Sequence, residues 1–385
     1  MKKTVAVFFG GRSPEHDVSI ISAIASVIKP LKLIGHKVVP VYIAKNGDWF
    51  TGDEFSDVKN YQTGKITEIM KQQKPVAISF NGGLTIIPNS KTRKSIKIDV
   101  AFPVMHGAYG EDGSLMGLLR MANIPFVGSD MEASVIAMDK VLSKEVAEAN
   151  GILTPKYLAF PKAEFETNAD DIMNKINTEL KYPLFVKPPH LGSSIGITKV
   201  GSKEQLENAI EVAAYYDDSI IVEQAIENLI EVTIPVIGNS EPQVANVERP
   251  IKLTSDEVFD FESKYINHGG KKGGKAKGAA SGYSEIPAKL PKDIYESCEN
   301  IAKKIYQTVG LSGISRVDLL IDSKAGKVYF NEINPMPGGL YAHNFAKIGI
   351  SNVQLVEKLL DYAEERFEHE SKINTTFETN FLQQF

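Results

Sequence analysis

SRVDLLIDSKAGKVYFNEINPMPGG, residues 315–339, is the stretch that decides how the rest of the chain is read. Two apolar runs of strand-like composition flank the polar SKAG, which predicts a β-hairpin. Residues two apart on a strand share a face, so Arg316 goes with Asp318 and Glu332 with Asn334. With the turn at 323–327, pairing Asp322 with Val328 sets Asp318 opposite Glu332 and Arg316 opposite Asn334, all on one face. Two carboxylates and an amide oxygen then converge beside a guanidinium. Hard oxygen donors suit one or two Mg²⁺ ions, with nucleotide phosphates completing the octahedron, and Arg316 would stabilise developing negative charge. The bland alternative is a solvated hairpin face with a salt bridge of little energetic value. The rigid PMPGG at 335–339 argues against it, being an odd sequel to an ordinary surface strand.

Upstream, HLGSSIG (190–196) lies between the apolar runs YPLFVKP and IGITKV. Gly192 and Gly196 let backbone N–H groups approach phosphate oxygens, and Ser193 and Ser194 offer hydroxyls, so the loop reads as a phosphate cradle or as a plain hairpin turn. Lys187 and Lys140 are candidate phosphate partners. HGGKKGGKAKGAASG (268–282) cannot form a packed core. It has G-x-x-x-x-G-K spacing at 269–275, but Ala276 stands where a P-loop needs Ser or Thr, which leaves a mobile lid or a flexible linker.

Over residues 1–137, short apolar runs (TVAVFF, KVVPVYIA, DVAFPVM) alternate with helical segments, the pattern of a parallel sheet flanked by helices. GGRSPE after the first strand lacks the G-x-G-x-x-G spacing of a dinucleotide turn. Residues 138–226 read as a helix around MDKVLSKEVAEAN followed by strands. Residues 227–385 read as strands EVTIPVIG and QVANVER, a long helix and the hairpin, with antiparallel sheets covered by helices on one face. The expectation is therefore α/β and α+β in three domains, with a Rossmann-like parallel sheet at the amino terminus.

A chain of 385 residues exceeds what one core usually supports, and 43% hydrophobic with 24% charged residues is ordinary globular usage. A net charge of -5 with no Lys/Arg stripe supplies no surface for nucleic acid. The single Cys298 excludes an internal disulfide framework, fits a reducing compartment, and reads as core filler on an amphipathic helix. MKKTVAVFFGGRSPEH is too short in its apolar run for a signal peptide, and no apolar stretch approaches the length of a membrane span.

Taken together, these stretches resemble the D-alanine–D-alanine ligase family of the ATP-grasp superfamily over essentially the whole chain. The carriers are GGRSPEHDVSIISA (10–23), FPVMHGAYGEDGSLMGLL (102–119), MDK (138–140), FVKPPHLGSSIGITKV (185–200), FESKYI (261–266), RVDLL and NEINPMPG. The resemblance implies a three-domain ATP-grasp architecture and ATP- and Mg²⁺-dependent joining of two D-alanines through an acyl phosphate, for peptidoglycan, with Mn²⁺ as a substitute metal. It implies that Glu15 receives the ammonium of the first D-alanine, that His106 and Glu111 line that pocket, and that Ser193 and Tyr265 form a hydrogen-bonded set with Glu15. Lys140, Lys187 and Lys264 match phosphate lysines, and Glu223 and Glu231 match the residues that hold adenine and ribose. Asp318, Glu332 and Asn334 match the metal ligands, and Arg316 with the N–H of Gly338 matches the oxyanion site. A cytoplasmic homodimer is also implied. The pattern departs from the family at GLYAHNF (339–345), where His343 replaces a serine that helps bind the acceptor carboxylate, so His343 is expected to take that role. The alternatives are another acceptor (D-lactate, D-serine or another amino acid), against which Tyr265 argues, and a nucleotide-binding regulator, against which the intact Arg316, Asp318, Glu332 and Asn334 argue.

Overall fold

The fold was described from a computed structural model, which covers residues 2–90, 92–251 and 284–385. FESKYI, with Lys264 and Tyr265, and the Gly/Lys-rich stretch lie outside the described residues.

The first strand, β1 (Thr4–Gly10), is apolar from Val5 to Phe9, and those residues are wholly buried, as expected of a strand covered on both faces. It pairs in parallel with β2 (Lys37–Ile43) and with a later strand, β7 (Val100–Pro103), and β3 (Trp49–Thr51) adds an antiparallel edge. Helix α1 (His16–Ser22) starts just after β1 and runs through a π-helical stretch, Ala23–Ile28, into α2 (Lys29–Leu33). Short helices α3 (Val58–Gln62) and α4 (Ile66–Gln72) and a small antiparallel sheet of β4 (Ala77–Ser79), β5 (Thr85–Ile87) and β6 (Ile96–Lys97) precede β7. Helix α5 (Ser114–Met121) follows it. Asp139 then ends α6 (Met131–Met138) and caps α7 (Lys140–Ala149), accepting from the N–H groups of Val141 and Leu142 at 2.8 and 3.1 Å.

A second sheet, wholly antiparallel, contains β8 (Tyr157–Pro161), β9 (Leu184–Lys187), β10 (Thr198–Val200) and β11 (Ser219–Gln224) in the order β10-β9-β11-β8. Its apolar face packs on α8 (Lys162–Glu179) and α9 (Leu206–Tyr216) through Ile172, Ile176, Leu206 and Ile210.

The third sheet has the order β13-β12-β16-β17, from β12 (Leu229–Gly238), β13 (Gln243–Val244), β16 (Gly313–Asp322) and β17 (Lys327–Asn334). QVANVER forms no continuous strand: β13 is followed by an isolated antiparallel bridge of Glu248 with Thr233 and then by a two-residue ribbon of β14 (Arg249–Pro250) with β15 (Ser284–Glu285). Helix α10 (Lys292–Val309) covers this sheet, and its Cys298 is fully buried, the thiol pushed up to about 12 by burial, as an inert core residue should be. Ala133, Ala137 and Ala147 of α6 and α7 share that core. After α11 (Ala342–Lys347), α12 (Asn352–Glu370) begins with a capping box at Ser351 and Gln354. Leu355, Val356 and Leu359 then share a core with Val5 and Val7 of β1 and Ile24 of the π-helical stretch. The chain's last long helix thus anchors the hairpin end of the molecule to its first strand.

The hairpin needs one correction. Asp322 pairs with Lys327, not Val328, and the register continues to Leu319 opposite Phe330. A β-bulge then admits Asn331 as an extra residue, after which Asp318 lies opposite Glu332 and Arg316 opposite Asn334. The expected functional pairs form, by a different route.

Candidate active site

The bulge sets the geometry. Asp318 and Glu332 face one another across β16 and β17, with Thr233 of β12 on Asp318's other side, and Arg316 and Asn334 form the next row. Arg316 grips Asp318 through Nε to Oδ1 at 2.7 Å and an Nη to Oδ2 at 2.6 Å, a bidentate pair with both side chains largely buried. Asn334 Oδ1 accepts from the Met336 N–H at 3.2 Å, which fixes the amide with its oxygen at the turn. Among the described residues no group of three His, Cys, Asp or Glu side chains gathers, so a metal here would rest on two carboxylates and an amide. That all-oxygen set fits Mg²⁺, which takes few protein ligands and keeps water and phosphate for the rest.

One lysine reaches this row from α7, and a second stands at the end of β9. Lys140, the first residue of α7, places Nζ 3.2 Å from Glu332 Oε2 and donates to the Leu191 carbonyl at 2.7 Å, tying the hairpin to the HLGSSIG loop. Lys187 ends β9 and donates to Glu223 Oε2 on the neighbouring β11. Burial pushes the Glu223 carboxyl up, but the charges of Lys144 and Lys187 outweigh it and hold the group below its ordinary value. Glu231, half-buried near the start of β12, lies across from Leu320.

A second cluster sits where α1 begins. Glu15 is 7% exposed and accepts from the Ser193 hydroxyl, so the loop after β9 and the turn after β1 meet at one carboxylate. Backbone crowds it: a Cβ on Gly107 or on Gly192 would sit 3.0 Å from Glu15 Oε2, and Gly107 also has φ +71°. Glu111 is buried, accepts from the N–H groups of Gly107 at 2.6 Å and Met336 at 3.2 Å, and is raised from 4.5 to about 8, first by burial and then by the Glu15 charge. Burial likewise lowers His106, against the pull of Glu15. His106 Nε2 lies 3.1 Å from the Ser22 hydroxyl, whose oxygen accepts the Gly339 N–H at 3.0 Å. Ser22 therefore links the pocket around Glu15 to the glycine turn at 338–341, in which Gly338 lies beside Val18 of α1.

His343, expected to take the acceptor carboxylate, sits beside a buried acid. Its Nε2 lies 2.9 and 3.2 Å from the two oxygens of buried Glu248, which also accepts from the Asn344 amide at 3.0 Å. The imidazole is thus engaged through Nε2 by a carboxylate of its own protein. Burial pushes Glu248 up, but the His343 hydrogen bond and charge bring it below its ordinary value. Tyr341 lies tilted against this ring at 4.9 Å between centroids, and the Arg316 guanidinium sits over the Tyr341 ring at 5.3 Å.

Sequence reading missed Lys144, Ser22 and Glu248. Lys144 is the fourth residue after Lys140 on one helix, a spacing that puts both on one face, and this was the available signal. Ser22 and Glu248 carried none.

Comparison with known proteins agrees with this architecture. Family models described as D-ala D-ala ligase N-terminus and D-ala D-ala ligase C-terminus match residues 4–129 and 146–373. The D-alanine–D-alanine ligase of Chloroherpeton thalassium is 36% identical over 95% of this chain and 97% of its own, and that of Bacillus pumilus 34% identical over 98% and 100%. Among solved structures, the D-Ala:D-Ser ligase of Enterococcus faecalis superposes with TM-score 0.77 at 33% identity, covering 94% of this chain and 100% of that one. The Coxiella burnetii D-alanine–D-alanine ligase, at 24% identity and TM-score 0.78 over 96% of each chain, shares the fold. The chain belongs to the D-alanine–D-alanine ligase family, with its ATP-grasp architecture.

Proposed function

We propose that the protein joins two D-alanines into D-alanyl-D-alanine, converting ATP to ADP and phosphate, in the cytoplasm, as a homodimer and for peptidoglycan synthesis. The observation that carries this reading is the convergence of two cages: a carboxylate row beside Arg316, reached by Lys140, and the Glu15–Ser193 pair in the adjoining pocket. One suits a nucleotide triphosphate and the other a small amino acid. Their junction at the HLGSSIG loop is where a carboxylate and a γ-phosphate would meet.

Glu15 binds the first ammonium, with His106 and Glu111 shaping the pocket floor. The first carboxylate attacks the γ-phosphorus, an O–P bond forms as the bond to ADP breaks, and Lys140, Lys187 and Lys264 neutralise the phosphates. Glu223 and Glu231 hold adenine and ribose. Asp318, Glu332 and Asn334 would hold Mg²⁺, or Mn²⁺, which supplies charge neutralisation to the transferring phosphoryl group. The second amine then attacks the acyl carbon. Arg316 and the Gly338 N–H stabilise the oxyanion, Ser193 acts with Glu15 at the reacting end, a role the family resemblance also gives Tyr265, and the tetrahedral adduct expels phosphate.

A second reading takes D-serine as acceptor, favoured by the likeness to the D-Ala:D-Ser ligase. The test is ATP-dependent phosphate release across D- and L-alanine, D-serine and D-lactate, with products identified by mass. Release requiring D-alanine alone, with a dipeptide product, supports the first reading. Faster mixed-product formation with D-serine supports the second, and release with neither overturns both.

A further inference from the structure

We propose that Lys144 is a positioning residue that holds the bulged strand so that Glu332 is presented to the metal site, an inference resting on the metal reading above. Lys144 is fully buried, and Nζ donates to the Asn331 carbonyl at 2.8 Å and lies 3.2 Å from Glu223 Oε1. Asn331 is the extra residue of the bulge. A bulge leaves backbone groups out of the ladder, and a buried carbonyl without a donor is costly. Lys144 supplies that donor.

The placement is specific in two further ways. Lys140 and Lys144 stand one helical turn apart on α7 and touch successive residues of β17, the first through the Glu332 carboxylate and the second through the Asn331 carbonyl. Side chain and backbone of the same strand segment are thus fixed from one rigid helix. The other partner of Lys144, Glu223, also carries Lys187, so one ammonium joins the acidic residue proposed for adenine to the backbone of the residue that precedes Glu332. Core packing does not require a charge here. An apolar chain of similar volume would fill the space without burying an ion, so the ammonium's value lies in what it holds.

The test uses the full chain with Lys144→Met, which keeps the length of the stem and removes the donor. Mn²⁺ affinity, read by electron paramagnetic resonance with a non-hydrolysable ATP analogue, is expected to weaken by about tenfold or more, the usual effect of losing a ligand's supporting partner. In the metal-free protein, amide exchange of the 327–334 peptide should quicken by about tenfold or more, while β12 and β16 exchange as in the wild type. Glu332→Gln serves as reference. If that variant loses Mn²⁺ affinity and Lys144→Met keeps it within about twofold, the positioning role is overturned while the metal reading stands. If neither loses affinity, the metal reading fails and the inference with it. Should Lys144→Met not fold, the double variant Lys144→Met with Glu223→Gln is compared with Glu223→Gln alone. The same tenfold difference supports the role, and equal affinities overturn it.

Discussion

Replacing Glu332 by Gln separates the chemistry of the carboxylate from its contribution to the fold. Gln is isosteric, and the backbone pairing of residue 332 with Asp318 does not depend on the side chain. The substitution removes the ion pair with Lys140 at 3.2 Å, and with the Glu332 side chain 29% exposed such a pair is worth about 0–1 kcal/mol. Lys140 also keeps its bond to the Leu191 carbonyl at 2.7 Å, so it is not left without a partner. Unfolding should therefore move by a few degrees at most. Catalysis should respond differently, because one of only two anionic groups in the row becomes neutral. A loss of about 3–4 kcal/mol of transition-state stabilisation, in the range expected for Lewis-acid assistance, lowers kcat by about 10²–10³. The assay is phosphate release at saturating ATP, Mg²⁺ and D-alanine, alongside thermal melting followed by circular dichroism. A variant with wild-type melting and kcat within about threefold of wild type would remove Glu332 from the metal site.

Ser193→Ala removes the hydroxyl that donates to Glu15, a charge-assisted bond worth about 1.5–3 kcal/mol, and should raise KM for the first D-alanine at least tenfold with little change in KM for ATP; equal shifts in both constants would argue for general loop damage. Glu111, raised from 4.5 to about 8, binds its proton more tightly folded than unfolded, so its contribution to stability is complete below about pH 4.5 and is lost as pH rises through about 8. Urea unfolding at pH 5 to 8 should show wild-type stability falling relative to Glu111→Gln by roughly 1 kcal/mol per pH unit, and parallel curves would refute the shift. His343→Ala leaves Glu248 with Asn344 as its remaining side-chain partner on α11 and should destabilise the fold by about 1–3 kcal/mol. If His343 also serves the acceptor, KM for the second D-alanine rises tenfold as well. A lowered melting point with that KM unchanged assigns His343 to Glu248 alone.

The hairpin was legible because its signal is local: alternation with period two, a polar turn, and charged residues on one face. The bulge was not, since nothing in VYFNEIN marks Asn331 as the residue that leaves the ladder. A straight ladder through the true turn pairing, Asp322 with Lys327, would have set Asn331 opposite Asp318. The parallel first sheet and the loop at HLGSSIG were readable for the same reason as the hairpin. What escaped were partners distant in sequence. Lys144 looks like any lysine on an amphipathic helix until β17 and β11 are packed against it. Ser22 gains meaning only when His106 and Gly339 arrive from two other segments. His343 was identified from its place in a motif, but its partner Glu248 lies 95 residues away in a stretch that reads as plain strand.

Backbone strain shows the same division between local and assembled information. Seven described non-glycine residues have positive φ, and five of them belong to the site loops: Tyr109, Ser193, Ser194, Leu340 and Tyr341. Left-handed backbone costs a side-chain-bearing residue about 1–2 kcal/mol, so something must over-determine each of these positions. For Ser193 it is the bond to Glu15, and for Leu340 it is complete burial in the core shared by β1 and α12. Tyr341 is held between Arg316 and His343. A sequence reader assigns such conformations to glycine and so sees Gly192, Gly338 and Gly339 while passing over their neighbours. The strained residues turn the loops sharply enough to bring Gly192 against Glu15 and the Gly339 N–H onto Ser22. Leu340 thereby ties the candidate oxyanion turn to the core that β1 shares with α12.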